Sequence, residues 1–479
     1  MTLESTEQTD LCYTPATELG RLYRAGELSP VEVTDAVLAR IERLNPRLRA
    51  YLTVTDDLAR EQARASEARA RRGELIGPLD GVPYSIKDLE PTAGIRTTYG
   101  SKWFEHFVPD FDGIIPQRMK PTGAVLLGKT NSSHYGYKDM CDNLLGPPCV
   151  NPWKLDRTSG ASSGGAGSAA AAGLGPLAHG SDGAGSIRIP SALCGLVGFK
   201  ASFGRVPFWP FNDYWSAIVH NGPMTRTVRD AALMLNVLAG PDPRDPHSID
   251  ATPDDYLAAC EGDLKGLRIA YSEDFGYAAV EPEVRVLTRA AARSFTDFGC
   301  TLDERDPGWD DPGPFHTVLY EVLLAAHHDA HARERPEWIE ATLMRHIENG
   351  RAVSGVEHHQ AIMARTAFYE SAQRFFGDYD LLLTPQMPLG AWSAEPGPNE
   401  GPKVIEGRST PTMFDHLPFT FPFNMTGQPA LTVPCGFTSE GLPVGLQIVG
   451  RWHADSTVIR AAACFEAARP WAQHRPPLD

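Results

Sequence analysis

Residues 159–200 read SGASSGGAGSAAAAGLGPLAHGSDGAGSIRIPSALCGLVGFK. The stretch opens with a Ser/Gly tract whose main chain can approach other groups closely, and an alanine-rich run predicted to be helical follows. A second Gly/Ser turn then spans residues 180–186. The sequence after Ser186, Ile-Arg-Ile-Pro-Ser-Ala-Leu-Cys-Gly, can cap and begin another helix. Consecutive amides at Gly183, Ala184, Gly185 and Ser186 would then form a nest of donors suited to an anionic oxygen. Either tract alone reads as an ordinary flexible turn. Two tracts joined by one helix read as a built site, with a serine at the nest as the candidate nucleophile. A serine nucleophile needs a base. No histidine has a comparable Gly-rich setting, since His179 follows a strand-like run. Lys87 is the alternative: between Ile86 and Leu89, desolvation would disfavour its cation and bring its pKa down. A lone lysine is otherwise a surface residue.

Working outward, Ser29-Pro30-Val31-Glu32 reads as an N-cap with proline in the first turn, followed by apolar positions at helical spacing. Turn-rich Gly77 to Pro83 leads into the short apolar run that carries Lys87. Strand-like runs recur at Ala124 to Leu127, Leu174 to Ala178, Leu267 to Tyr271, Leu381 to Leu383, Ala430 to Val433 and Val444 to Val449, with helical stretches between them. Such interleaving predicts an α/β layer architecture, with a central mixed sheet covered by helices on both faces. Residues 1–479 are taken as one domain, with residues 1–75 a helical N-terminal segment and residues 241–375 a helical elaboration near the cleft. The Gly/Pro/Glu-rich loop from Trp392 to Pro411 is expected to border that cleft.

Two motifs match letter for letter and fail in context. Gly123-Ala-Val-Leu-Leu-Gly128-Lys129-Thr130 satisfies the P-loop expression of an NTPase, but a P-loop needs its strand before the first glycine, and here Ala-Val-Leu-Leu is itself the strand. Gly160-Ala-Ser-Ser-Gly164 satisfies GxSxG, yet the residues before it do not supply the apolar strand of a nucleophile elbow. His327 and His331 stand four apart on a predicted helix without a glutamate completing HExxH, so the cluster with His328 reads as a solvated helix face and no metal site is expected.

Across the 479 residues, 42% are hydrophobic and 22% charged, enough apolar material for a large core. Forty-four Lys plus Arg against sixty Asp plus Glu leave a net charge of −16, which opposes docking on nucleic acid or anionic membrane. The eight cysteines show no CxxC or CxH spacing and read as reduced thiols. The sequence from Met1 has no basic or apolar leader, and no run reaches the roughly 20 apolar residues of a spanning helix. A soluble, cytoplasmic protein is expected.

The chain resembles the amidase signature enzymes. The resemblance runs from Gly81-Val-Pro-Tyr-Ser-Ile-Lys-Asp88 through Leu127-Gly-Lys-Thr-Asn131 and Asn151-Pro-Trp153. It crosses the quoted stretch and ends in Phe423-Asn-Met-Thr-Gly-Gln-Pro-Ala430 and Gly441-Leu-Pro-Val-Gly-Leu-Gln447. It implies a catalytic Ser-cisSer-Lys triad: Lys87 as base, Ser162 as the bridging serine on a cis peptide, and Ser186 as nucleophile. The amides of Gly183, Ala184 and Gly185, with that of Ser186, would form the oxyanion hole. Ser163, Asp182 and Arg188 match positions that hold the two turns together. No cofactor is implied. The sequence departs from the family's usual glycines at Ala161 and Ala184, where a methyl suits ordinary backbone angles but narrows the turn. It departs further after Lys200, where glutamine-hydrolysing relatives carry Ser-Leu-Asp-Gln and this chain has Phe208-Trp-Pro-Phe-Asn-Asp-Tyr-Trp215. Trp209, Phe211, Tyr214 and Trp215, with Tyr135 and Tyr137, are therefore expected to wall a pocket for a small, partly aromatic amide or carbamate (urethane). The competing readings are a glutamine-type amidotransferase component and, in another class, the NTPase. Assembly is left open, with a homodimer as one arrangement.

Overall fold

The computed structural model describes residues 10–216, 218–395 and 401–478. Eleven strands form one sheet: β1 (Tyr51–Val54), β2 (Pro83–Lys87), β3 (Val125–Thr130), β4 (Leu177–Asp182), β5 (Val197–Lys200), β6 (His220–Thr225), β7 (Arg268–Tyr271), β8 (Thr301–Glu304), β9 (Leu381–Pro385), β10 (Ala430–Phe437) and β11 (Pro443–Gly450). Their spatial order is β1-β3-β2-β4-β6-β5-β10-β11-β9-β7-β8. Strand β2 runs parallel to both β3 and β4, and β7 parallel to both β9 and β8. The remaining pairings are antiparallel, so the sheet is mixed as expected.

Successive strand residues point to opposite faces, and in β9 the two faces meet different cores. Leu381 and Leu383 join one cluster, with Leu19 of α1 (Ala16–Ala25), Val33, Val37 and Ile41 of α2 (Pro30–Leu48) and Leu235. Leu382 joins the other, with Tyr320, Leu343 and Phe368. A sheet buried on both faces needs continuous rather than alternating apolar runs, which is why Leu381 to Leu383 is legible as a strand. Helices thus cover both faces. The cap of α2 forms as read: Ser29 Oγ accepts from the Val31 amide at 3.0 Å, and the Ser29 amide donates to Glu32 at 2.9 Å.

Three boundaries differ from expectation. The N-terminal segment is interrupted by β1, which pairs with β3, between α2 and α3 (Asp56–Arg72). Residues 241–375 are not only a helical elaboration, because β7 and β8 within them complete one edge of the sheet. The strand placed at Leu174 to Ala178 starts later, at Leu177, because Gly173 and Gly175 hold φ values of +71° and +131° and Pro176 has no N–H for a ladder. No helix among the described residues is long and apolar enough to cross a membrane.

After β2 the chain crosses to β3 on one side and then to β4 on the other. The carboxyl ends of β2 and β4 are thereby left open between them, which is where open α/β sheets place their sites. The quoted stretch supplies α4 (Gly164–Ala171), β4 and α5 (Arg188–Cys194) in succession.

Candidate active site

Lys87 is the last residue of β2 and is fully buried. Its Nζ lies 2.7 Å from Ser162 Oγ, 3.1 Å from Ser181 Oγ and 3.2 Å from Ser181 O. A neutral amine has two N–H groups and one lone pair, which matches donation to both Ser181 oxygens and acceptance of the Ser162 hydroxyl proton. Burial pushes Lys87 down to about 7, and the Asp182 charge offsets only part of that. The group is therefore placed to take a proton near neutral pH.

Ser162 and Ser163 immediately precede α4, and the Ala161–Ser162 peptide is cis. Ser163 ties the two turns together. Its amide donates to Ser186 O at 3.2 Å, and its hydroxyl donates to Ser181 O at 3.2 Å. Ser186, 8% exposed, stands in the turn between β4 and α5, and its hydroxyl has no hydrogen-bond partner among the described residues.

Asp182 organises that turn. Oδ1 accepts from the Gly185 amide at 2.7 Å, Arg188 Nη2 at 3.0 Å and Asn424 Nδ2 at 2.8 Å. Oδ2 accepts from the Ile187 amide at 3.1 Å, the Arg188 amide at 3.4 Å and Arg188 Nε at 3.0 Å. Burial opposes the charge, but the Arg188 guanidinium and these donors hold the carboxyl well below the usual carboxylate range. The Gly185 amide is thus committed to Asp182, a correction to its expected place among the oxyanion donors. Among the described residues the amides of Gly183, Ala184 and Ser186 have no partner and remain available to an anionic oxygen. Gly185 is required on other grounds: its φ is +123°, and a Cβ would meet Thr420 Cβ at 2.6 Å. Ala184 and Ala161 do not hold positive φ, and both line the cavity onto which Ser186 opens.

That cavity, of about 170 Å³, is walled largely by apolar groups. Tyr135 and Tyr137 line it as expected, and Phe211 is the member of the aromatic segment that joins them. Trp209, Tyr214 and Trp215 do not line it. Trp209 stacks under the Arg244 guanidinium, 4.0 Å from the ring centre, and Tyr214 O receives His247 Nε2 at 2.7 Å. Trp215 is 83% exposed and faces a neighbouring cavity. The described residues of the loop from Trp392 to Pro411 do not line the cavity either; Met413 and Leu417 just beyond them do.

Several contributors escaped the sequence reading. His327 and His328 of α6 (Gly313–Glu334) line the cavity rather than a solvated face, and His328 stacks on Tyr135 at 4.2 Å. Burial pushes His328 down to about 3. His331 meets the Tyr135 hydroxyl at 3.1 Å and stacks on Trp103. Gly136, with φ +76°, brings its backbone close to Ser162; a Cβ there would lie 3.2 Å from Ser162 Oγ and 2.7 Å from Leu89. Asn424 and Gln447 receive the Arg188 Nη groups at 2.7 Å each. The signal for those two was a polar residue inside an apolar block, since a buried polar group must find a partner. Gly128-Lys129-Thr130 lies within strand β3 with Lys129 fully buried, so the residues of the NTPase motif form no phosphate loop.

Comparison with known proteins places this arrangement in a class. The family model described as Amidase matches residues 32–459. The acylamidase of Rhodococcus erythropolis is 39% identical over 474 residues, covering 98% of each chain. A glutamyl-tRNA(Gln) amidotransferase chain of Moorella thermoacetica is 36% identical over 493 residues, covering 98% of this chain and 99% of that one. A bacterial aryl acylamidase of the amidase signature family superposes with a TM-score of 0.90 at 33% identity, over 96% and 97% of the two chains. The structure of 6-aminohexanoate cyclic dimer hydrolase superposes at 0.88 and 29% identity, over 98% and 99%. The chain belongs to the Amidase family, the amidase signature enzymes. It is an amidase, a hydrolase acting on amides.

Proposed function

We propose that the protein cleaves the C–N bond of a small, partly aromatic amide or carbamate through an acyl-enzyme on Ser186, without metal or cofactor. Neutral Lys87 takes a proton from Ser162, which takes one from Ser186 as Ser186 Oγ attacks the substrate carbonyl. The free amides of Gly183, Ala184 and Ser186 receive the oxyanion, and the relay returns a proton to the leaving amine. Water then frees the acid; from a carbamate, it frees a carbonate half-ester that loses CO₂.

The observation that carries this reading is the 2.7 Å contact between Lys87 Nζ and Ser162 Oγ in a fully buried setting, beside a turn in which the amides of Gly183, Ala184 and Ser186 have no partner among the described residues. Tyr135, Tyr137 and Phe211 in the cavity support an aryl group in the substrate. The eight free cysteines support a reducing, cytoplasmic setting, and the net charge of −16 supports a small molecule over nucleic acid or anionic membrane as partner.

Side-by-side kinetics on acetanilide-type, urethane-type and glutamine substrates test it. Aryl substrates are expected to exceed glutamine in kcat/KM by about tenfold or more. Preference for glutamine would overturn the aryl reading in favour of an amidotransferase-type role, like that of the Moorella relative.

A further inference from the structure

A cavity of about 280 Å³ adjoins the one at Ser186, sharing Ile218, Tyr320 and Leu323 in its wall. Its walls are largely apolar, yet two side chains in its lining, half-buried Arg365 and fully buried His316, carry nitrogens with no protein partner among the described residues. Half-buried Arg365 donates Nε to Met425 O at 3.0 Å. Among the described residues its two Nη groups have no hydrogen-bond acceptor and no carboxylate within ion-pair distance. Other buried guanidiniums in this chain are met differently: Arg188 has Asp182, and Arg226 spreads its Nη groups over the carbonyls of Ala170, Gly175, Cys12 and Thr14. A guanidinium partly withdrawn from water without either arrangement is poised for an anion.

The second group is His316, 1% exposed, whose ring stacks on Phe421 at 4.7 Å with planes 6° apart. Its Nε2 has no hydrogen-bond partner among the described residues. Burial, with a smaller contribution from the Arg365 charge, holds this ring at about 3, so it is neutral and can donate one N–H. The cavity's acid, Asp213, lies 3.5 Å from His327 Nε2. Exposed Trp215 sets the solvent rim.

We propose that this second cavity binds an organic monocarboxylate with an aliphatic or aryl body, its carboxylate taken by the Arg365 Nη groups and the His316 Nε2–H. Arg presents a planar fork that matches a carboxylate, and the apolar walls receive the body. Amide hydrolysis releases an acid of this class, so the occupant is the enzyme's own acid product. That identification rests on the proposed function, whereas the carboxylate site does not.

Calorimetric titration of benzoate and of benzyl alcohol into the full chain, Arg365→Gln and His316→Phe tests it. Benzoate is expected to bind the parent chain, about tenfold or more weaker to Arg365→Gln and several-fold weaker to His316→Phe, with no heat from benzyl alcohol, which has neither a carboxylate nor an amide. His316→Phe keeps the stack on Phe421, so it reads the site even where Arg365→Gln folds poorly. Both variants are expected to keep parental kcat/KM on a neutral anilide. Benzoate affinity unchanged in both variants, or benzoate acting as a purely competitive inhibitor whose Ki neither variant moves, would overturn the proposal. The titrations need no turnover, so loss of the Ser186 reading would leave them unaffected.

Discussion

Lys87 and Lys129 occupy neighbouring parallel strands, each buried completely and each pushed down chiefly by burial, to about 7 and about 8. Their surroundings differ. Lys129 Nζ donates to Glu90 O, to Thr97 Oγ1 at 2.8 Å and to Thr92 Oγ1 at 3.2 Å, with Asp88 3.9 Å away. These partners belong to the segment that follows β2, and the lysine pins that segment to the sheet. Lys87 instead reaches Ser162, a hydroxyl that borders a cavity. Burial makes a lysine available as a base, but what it touches decides whether it can act as one.

The largest expected effect is at the nucleophile. Ser186→Ala should lower kcat on an anilide by about 10⁴-fold or more with an unchanged melting profile, because covalent catalysis is abolished. Parental turnover in that variant would remove Ser186 from the mechanism. The two lysines come next. Lys87→Ala should cost about 10³-fold or more in kcat, and combining it with Ser162→Ala should cost little beyond the poorer single variant, since a relay acts as a unit. Lys129→Met should leave kcat within a few-fold while lowering stability by about 2–3 kcal/mol, having removed three hydrogen bonds from a buried cation to a carbonyl and two hydroxyls. If denaturant melts show the reverse, the contrast between the two strands is mistaken.

A pH–rate profile sharpens the same contrast. Below about 7 the Lys87 amine is protonated and has no lone pair to offer, and above it the pair is free. So kcat/KM should fall about tenfold per pH unit below that point and level off above it. A profile flat down to pH 5 contradicts a lysine base. The smallest effect distinguishes the aromatic residues. Phe211→Ala should cost roughly tenfold in kcat/KM for an aryl substrate, from about 1–2 kcal/mol of lost ring contact, while Trp215→Ala should leave it unchanged.

What could be read in advance follows the same physics. Turns built from Gly and Ser announce themselves, so the two tracts and their serines were legible, as were strands buried on both faces with apolar runs. Strand β6 was not. His220-Asn-Gly-Pro-Met-Thr225 carries turn residues through the middle of the sheet, where its Pro223 lies opposite His179. The aromatic segment misled for a different reason: composition shows that rings are present but not which way each faces, and of that segment Phe211 joins the cavity at Ser186 while Phe208 and Phe211 border the one at Ser162. The histidines of α6 were misread because a helix face looks solvated until one knows that Tyr135 packs on it.

Arg188 bridges to Asn424 and Gln447, the latter 259 residues along the chain. The order of synthesis thereby separates the reacting groups from their support. While the ribosome is still making the C-terminal hairpin of β10 and β11, both serines and the lysine already exist, but the turn that would activate them lacks its last anchors. A polypeptide halted before that hairpin would carry all three reacting side chains and still leave Arg188 without its Gln447 anchor.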